Sequence, residues 1–413
     1  MIPARQLGMV LMVATSVASA QPFLVNYSQP ALDRWMYPYN SDPAGRPTAP
    51  VFGTLGDDAG VDTRHAQFLV GFDTYSPIAT NQGPRNYLVR RARFTATVSR
   101  DQVFTYDPTS DAVTTYYETN HPAYQADSDP GRPIELFGAG FRNGFTAESF
   151  LEGSPFGTNG IATRNAYAVG YQTNGALVDV SNNVGKTNAL YPHFEVYPFA
   201  LGLNTSLTPG DLVPSDTAFT FDLNLADPLV RQYVQEALDT GRLRLMVTWL
   251  GGGTLGGQPS YPDFYNKESV LGDPPALEIE GTVVTATDTE PDGLPDDWEN
   301  FYFGNLSQGA NDDPDGDGAS NLAEYLAGTN PNEAASVLQI VSIESAPGGT
   351  SLRFQFAASR RYTIESSGDL QRWSAVTDPV LTYYATPGVA EWKDDGAQTG
   401  GLGPIRFYRI QAR

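Results

Sequence analysis

The sequence predicts an all-β protein in which two strand-rich parts, residues 21–284 and 336–413, are joined by a short α-helical segment at 285–335. Three observations carry this reading. Forty-one Gly, thirty-one Pro and 12% aromatic residues suit many short strands joined by turns, as in sandwiches and barrels. Long helical periodicities are few. The 413 residues accommodate two or three domains of ordinary size.

At the N-terminus, Arg5 is followed by an apolar run from Leu7 to Val17 and then by Ala18-Ser19-Ala20. This is the charged, apolar and small-x-small order that a signal peptidase cuts. Residues 1–20 are therefore expected to be removed, leaving Gln21 first in a secreted protein, extracellular or at the cell surface. No other stretch has the apolar length needed to cross a bilayer, so no integral membrane segment is expected after signal removal. The chain has no Cys. An exported protein without disulfides must draw its stability from core size or from metal.

From Gln21 to Val284, strand-like runs alternate with turn residues: Phe68–Phe72, Tyr87–Val98, Ile134–Phe137, Ala218–Leu225, Arg242–Leu250 and Ala276–Val284. One helix interrupts them. Asp227 is its predicted N-cap, Pro228 its first helical residue and Gly241 its stop. Leu229, Val230, Tyr233, Val234, Ala237 and Leu238 recur at helical spacing and form one face. The next run places Leu243, Leu245, Val247 and Trp249 on one side of a strand, so helix and strand are expected to close over the same core. Beyond Ser336, six short runs predict a small sandwich: Val337–Ile343, Ser351–Phe356, Arg361–Glu365, Trp373–Val376, Val389–Lys393 and Ile405–Ile410.

The formal net charge is −22. Such a chain is a poor partner for nucleic acid, which is bound through Lys and Arg, and a natural one for cations. Eleven of the acidic residues lie between Asp288 and Glu324, with no Lys or Arg among them. Within that segment two loops show the spacing of an EF-hand, with oxygen ligands at positions 1, 3, 5, 7 and 9, Gly at 6 and a bidentate carboxylate at 12. In Asp313–Glu324 these positions are Asp313, Asp315, Asp317, the Ala319 carbonyl, Asn321 and Glu324, with Gly318 at the turn. In Asp288–Glu299 they are Asp288, Glu290, Asp292, the Leu294 carbonyl, Asp296 and Glu299, with Gly293 at the turn. Glu290 carries one methylene more than the usual Asp or Asn and is expected to weaken the first site. An all-oxygen set of this size suits Ca2+, whereas zinc would want His or Cys and magnesium a tighter octahedron.

Each loop is followed by a short helix and neither is preceded by one, which makes half an EF-hand, repeated. The segments Pro291-Asp-Gly-Leu-Pro-Asp-Asp-Trp-Glu299 and Asp313-Pro-Asp-Gly-Asp-Gly-Ala-Ser-Asn-Leu-Ala-Glu-Tyr-Leu-Ala-Gly-Thr-Asn-Pro331 resemble the thrombospondin type 3-like and dockerin-like calcium repeats of secreted bacterial proteins. That resemblance covers about a tenth of the chain. It implies a calcium-dependent joint and, as a lesser alternative, docking of a protein partner.

Phe219-Thr-Phe-Asp222 with the helix that follows, then Arg242-Leu-Arg-Leu-Met-Val247, Phe264-Tyr-Asn-Lys-Glu268 and Pro275-Ala-Leu-Glu-Ile279, resemble the closing strands of DNRLRE-type β jelly rolls, without that family's naming motif. The resemblance implies a jelly-roll-like β-sandwich over 21–284 that looks like a carbohydrate-binding module. The tail, with Arg361-Tyr-Thr-Ile-Glu365, Asp369-Leu-Gln-Arg-Trp373 and Arg406-Phe-Tyr-Arg409, is similar to the small C-terminal β domains that follow such repeats.

His65, His121 and His193 are scattered outside any nucleophile or zinc motif, and Gly251-Gly252-Gly253 has no Lys, Ser nucleophile or helix start after it. No catalytic residue is assigned. The expected function is non-catalytic binding or adhesion, with carbohydrate or an extracellular protein as partner. A purely structural surface component and a glycan-active hydrolase using paired carboxylates are the alternatives. Trp35, Tyr37 and Tyr39 either stack on sugar rings or pack the first strand. Trp373, Trp392 and Phe407 are expected in the core of the tail.

Overall fold

Strands dominate the computed structural model. It describes residues 20 to 412 except 39, 41, 54–65, 118, 120, 158–163, 173–176, 181–195, 252–253, 256–257, 285–286, 347, 358–361, 377–387, 397–398, 400 and 402–404. The predicted signal segment up to residue 19, together with His65, His193, Tyr39, Gly252 and Gly253, lies outside the described residues.

Two antiparallel sheets enclose the main core. In the first, the strands Ala20–Tyr27, Ala276–Val284, Tyr87–Thr97 and Ala218–Asp222 lie side by side in that order. Ala276–Val284 alternates as its sequence predicts, with Leu277, Ile279, Gly281 and Val283 buried and the alternate residues half-exposed. The second sheet runs Leu32–Met36, Gln67–Asp73, Arg242–Thr248, Glu135–Phe141, Ala166–Tyr171 and Leu177–Asp179, and Ala200–Leu201 pairs with Glu135–Phe141 off this path. The inner faces of both sheets contribute to one buried cluster, which takes in Phe68, Phe72, Phe94, Phe221 and Leu245.

Helix α1, Pro228–Thr240, closes this cluster. The Asp227 carboxylate caps it by accepting from Leu229 N at 2.8 Å, and Gly241 ends it in the left-handed region at φ 71°. Val230, Tyr233, Val234, Ala237 and Leu238 are its buried face. Tyr233 also anchors α1 to the second sheet, because its hydroxyl accepts from Ala139 N at 2.9 Å and donates to Arg244 O at 2.6 Å. Gly138 makes room for that ring, since a Cβ there would lie 2.8 Å from it.

The second sheet departs from simple alternation. Gln67–Asp73 and Arg242–Thr248 are buried almost throughout, because a second cluster covers their outer face. Leu69 and Met246 pack there against Met36, Phe137 and Phe150. Arg244, only 5% exposed, lies on this face and is compensated by Asp73 Oδ1 at 2.9 Å and by backbone carbonyls of Phe72 and Ala147.

Beyond Val284, two short helices, α2 (Asp296–Phe303) and α3 (Asn321–Ala327), precede two three-stranded antiparallel sheets. One holds Ile340–Ala346, Gly349–Phe356 and Gly388–Asp394, the other Ser374–Val376, Tyr362–Ser367 and Phe407–Ala412. Leu352, Phe354, Tyr362, Ile364, Val376 and Trp392 form their common core. Of the three aromatics expected there, Trp392 is buried, Trp373 is half-buried under the Arg409 guanidinium and Phe407 is 36% exposed. Phe407 begins an edge strand, which has a neighbour on one side alone. Tyr362 reaches out of this core to donate to Ala327 O at 3.1 Å, and Gln355 Nε2 donates to Ala335 O at 2.8 Å, so side chains of the tail grip the segment that carries α3. Among the described residues no helix is long and apolar enough to cross a membrane.

Candidate metal centre

The loop Asp313–Glu324 is held open by its own backbone. Asp313 accepts from Gly316 N at 2.9 Å through Oδ1 and from Gly318 N at 3.0 Å through Oδ2. Asp315 Oδ1 accepts from Asp317 N, and Asp317 Oδ1 from Ala319 N at 2.7 Å. Gly318 turns the chain at φ 96°, a conformation that costs a side-chain-bearing residue and explains Gly at position 6. The hydrogen bonds use one oxygen of Asp315 and one of Asp317. The other, Oδ2 of each, is buried and meets no donor, as do Asn321 Oδ1 and Glu324 Oε2. One carboxylate oxygen from each of Asp313, Asp315 and Asp317 lies within 4.8 Å of the others.

The first loop repeats this scheme. Asp288 accepts from Asp292 N and from Gly293 N, the latter at 2.9 Å, and Gly293 has φ 95°. Leu294 N donates to Asp292 Oδ1 at 2.9 Å. The carboxylates of Asp288, Glu290 and Asp296 converge within 4.8 Å, while Glu290 Oε1 and both oxygens of Glu299 are buried without a donor. The extra methylene of Glu290 thus delivers its carboxylate into the cluster. A further departure from the second loop falls at position 5, where Asp292 Oδ2 is drawn away to accept from Ala310 N at 2.6 Å.

That bond is one of several that tie the loops together. Leu322 N donates to Ala310 O at 3.0 Å, Asn321 Nδ2 donates to Gly309 O at 2.9 Å, and the rings of Trp298 on α2 and Tyr325 on α3 meet edge to face at 5.8 Å. The apolar core between them is small, with Leu294, Ala310 and Ala327 as its buried members. Glu299, Asn321 and Glu324 are 0% exposed beside it. Burial first, and then the adjacent Glu290 carboxylate, pushes Glu299 up to about 8. Burial also pushes Glu324 up to about 7, with Asp315, Asp317 and Asp313 adding to it and a 3.2 Å hydrogen bond from Thr329 Oγ1 opposing it. Ionised carboxylates buried without donors and surrounded by like charge are strongly disfavoured unless a cation joins them.

The donor set passes the test for a hard cation. Oxygens at positions 1, 3, 5, 9 and 12 are present in both loops, His and Cys are absent from both clusters, and the oxygens without donors come from these positions. Spacing named every one of these residues. It gave no sign of the Thr329 hydroxyl on Glu324, which depends on the turn at Gly328 after α3, or of the Asp292 link between loops, which depends on how the two units pack.

Elsewhere, Trp35 is 9% exposed and stacks on Tyr37 at 4.3 Å, with the Arg46 guanidinium on its ring at 4.2 Å. This favours the packing alternative over an open sugar platform. His121 meets Tyr117 edge to face at 4.4 Å and accepts from Ala123 N through Nδ1, which gives it a structural place. A cleft of about 390 Å3 near the second sheet is lined in part by Asp73, Glu148, Glu152, Arg242 and Arg244. Two of its carboxylates are engaged: Asp73 pairs with both arginines and Glu152 with Lys267. Compared with known protein families and with characterised proteins, the chain matches none.

Proposed function

We propose that residues 285–335 bind two calcium ions and that the protein is an exported, non-catalytic, multidomain β protein working in binding or adhesion at the cell surface or in the extracellular matrix. On this reading the N-terminal part is a jelly-roll-like sandwich, the C-terminal part a small sandwich, and the calcium segment a stiff joint between them. Asp288, Glu290, Asp292, Asp296 and Glu299 with the Leu294 carbonyl hold one ion. Asp313, Asp315, Asp317, Asn321 and Glu324 with the Ala319 carbonyl hold the other. Calcium contributes the positive charge that lets these oxygens share a small, largely polar interior. The observation that carries the reading is the set of buried oxygens without donors at ligand positions of both loops.

The joint role draws support from the contacts that the tail makes with Ala327 and Ala335. Without the ions, repulsion among the carboxylates opposes the packing of Trp298 on Tyr325, and the segment between the two β parts loses its shape. Carbohydrate is the first candidate for the ligand.

Calorimetry on the whole protein tests the metal claim. Two equivalents of calcium are expected to disappear in the double variant Glu299→Gln, Glu324→Gln. Unchanged uptake by that variant overturns the proposal. A glycan array then separates carbohydrate binding from a purely structural role, and turnover of any polysaccharide on a broad panel would overturn the non-catalytic reading.

A further inference from the structure

A second kind of acidic cluster lies in the N-terminal part, far in sequence from the two loops. One carboxylate oxygen from each of Asp107, Asp111 and Asp129 lies within 4.8 Å of the others. Asp107 is 4% exposed, and its Oδ2 is buried with no hydrogen-bond partner. Its Oδ1 accepts from Thr109 N at 2.8 Å and from Thr109 Oγ1 at 2.6 Å, while the same hydroxyl lies 2.8 Å from Asp129 Oδ2. A hydroxyl has one proton, so it can satisfy only one of these two carboxylates at a time.

The surrounding groups hold the cluster in place without filling it. Arg132 pairs with Asp111 Oδ2 at 2.6 Å and with Asp127 Oδ2 at 3.1 Å, and it is itself fixed by Thr115 O, by the face of Tyr116 and by Trp249 Nε1 donating to its carbonyl. Of the four carboxylates at 107, 111, 127 and 129, Arg132 thus pairs with Asp111 and Asp127, and among the described residues no ion pair reaches Asp107 or Asp129. The other carboxylate cluster of this part, Asp33, Glu152 and Glu268, shows the contrast. There Lys267 Nζ bonds Glu152 and lies 3.8 Å from Asp33 Oδ1 and 3.9 Å from Glu268 Oε1, so the chain supplies its own cation.

We infer that Asp107, Asp111 and Asp129 form a third calcium site, built from separate segments of the β part and independent of the two loops. The ligands are carboxylate oxygens alone, which selects a hard cation. Asp129 is exposed, so its side is open to the waters that complete a calcium shell of six to eight oxygens. An ion there meets the buried Asp107 oxygen and frees the Thr109 hydroxyl from its double demand. Asp107 and Asp111, then Asp127 and Asp129, are spaced unlike a continuous binding loop, and the fold alone brings the two pairs together.

Counting bound calcium on the whole chain by equilibrium dialysis tests this. Three equivalents are expected for the native protein and two for Asp129→Ala, an exposed position whose change leaves the fold intact. Asp107→Asn, checked for folding by circular dichroism, is expected to give two as well. In the double variant Glu299→Gln, Glu324→Gln one equivalent should remain, and it should vanish when Asp129→Ala is added. A native count of two that Asp129→Ala does not change overturns the third site and leaves the loops standing. A native count of one that Asp129→Ala abolishes overturns the loops and upholds the third site.

Discussion

On the proposed calcium reading, Glu324→Gln separates two effects at the second loop. The substitution keeps volume and shape but removes a charge from a position that is 0% exposed, where Oε2 has no donor and Asp313, Asp315 and Asp317 raise the cost of ionisation. Without calcium the variant should therefore be the more stable protein locally, by about 1–3 kcal/mol, the cost of a buried polar group left unpaired. Calcium acts in the opposite direction. Removing one partner of a buried charge pair costs about 3–5 kcal/mol, at least a hundredfold in affinity. At a calcium concentration about 100 times the native dissociation constant, the native loop gains about 2.7 kcal/mol from the ion. The variant, then close to its own dissociation constant, gains about 0.4 kcal/mol by the same relation. Hydrogen exchange of the amides from 313 to 329, with calcium and with chelator, reads these local opening energies directly. Equal calcium-dependent protection in the two proteins, or a variant less protected than the native chain in chelator, would refute the assignment of Glu324 as the charged ligand at position 12.

Two further outcomes follow from the β part. Tyr233→Phe removes a hydroxyl that serves Ala139 N and Arg244 O at once, so denaturant unfolding should show a loss of about 2 kcal/mol; a loss under 0.5 kcal/mol would mean that these two hydrogen bonds add little to the hold on α1. Asp33 is pushed up to about 7, chiefly by burial and against the pull of the Lys267 backbone amide and ammonium. Its native state thus binds a proton more tightly than the unfolded chain, so its contribution is fully present below about pH 4 and lost as pH rises through 7. The difference in melting temperature between native protein and Asp33→Asn should change across that window, and a flat difference would show that Asp33 titrates normally.

Much of the architecture was legible because local chemistry enforces it. The cap at Asp227, the stop at Gly241 and the strands Tyr87–Thr97 and Ala276–Val284 appear where their residues placed them. The tail was read less well. Its first strand begins at Ile340 rather than Val337 and exposes Val341 and Ile343, because an edge strand with a solvated face does not reward apolar alternation. The outer cluster over Leu69 and Met246 was not visible either. A strand buried on both faces reads as a continuous apolar run, and the covering segment lies far away in sequence.

Within the candidate sites the division is sharper. The sequence by itself determined both loops, since an EF-hand-like loop takes its ligands from twelve consecutive residues and writes its geometry as a spacing, with Gly293 and Gly318 at the one backbone position that needs them. Tertiary structure decided everything that joins distant segments. It turned Asp292 toward Ala310 and gathered Asp107, Asp111 and Asp129. The physical reason is one of distance along the chain. A ligand set carried on one turn is encoded in its own spacing, whereas one assembled across loops exists only after strands and helices have packed.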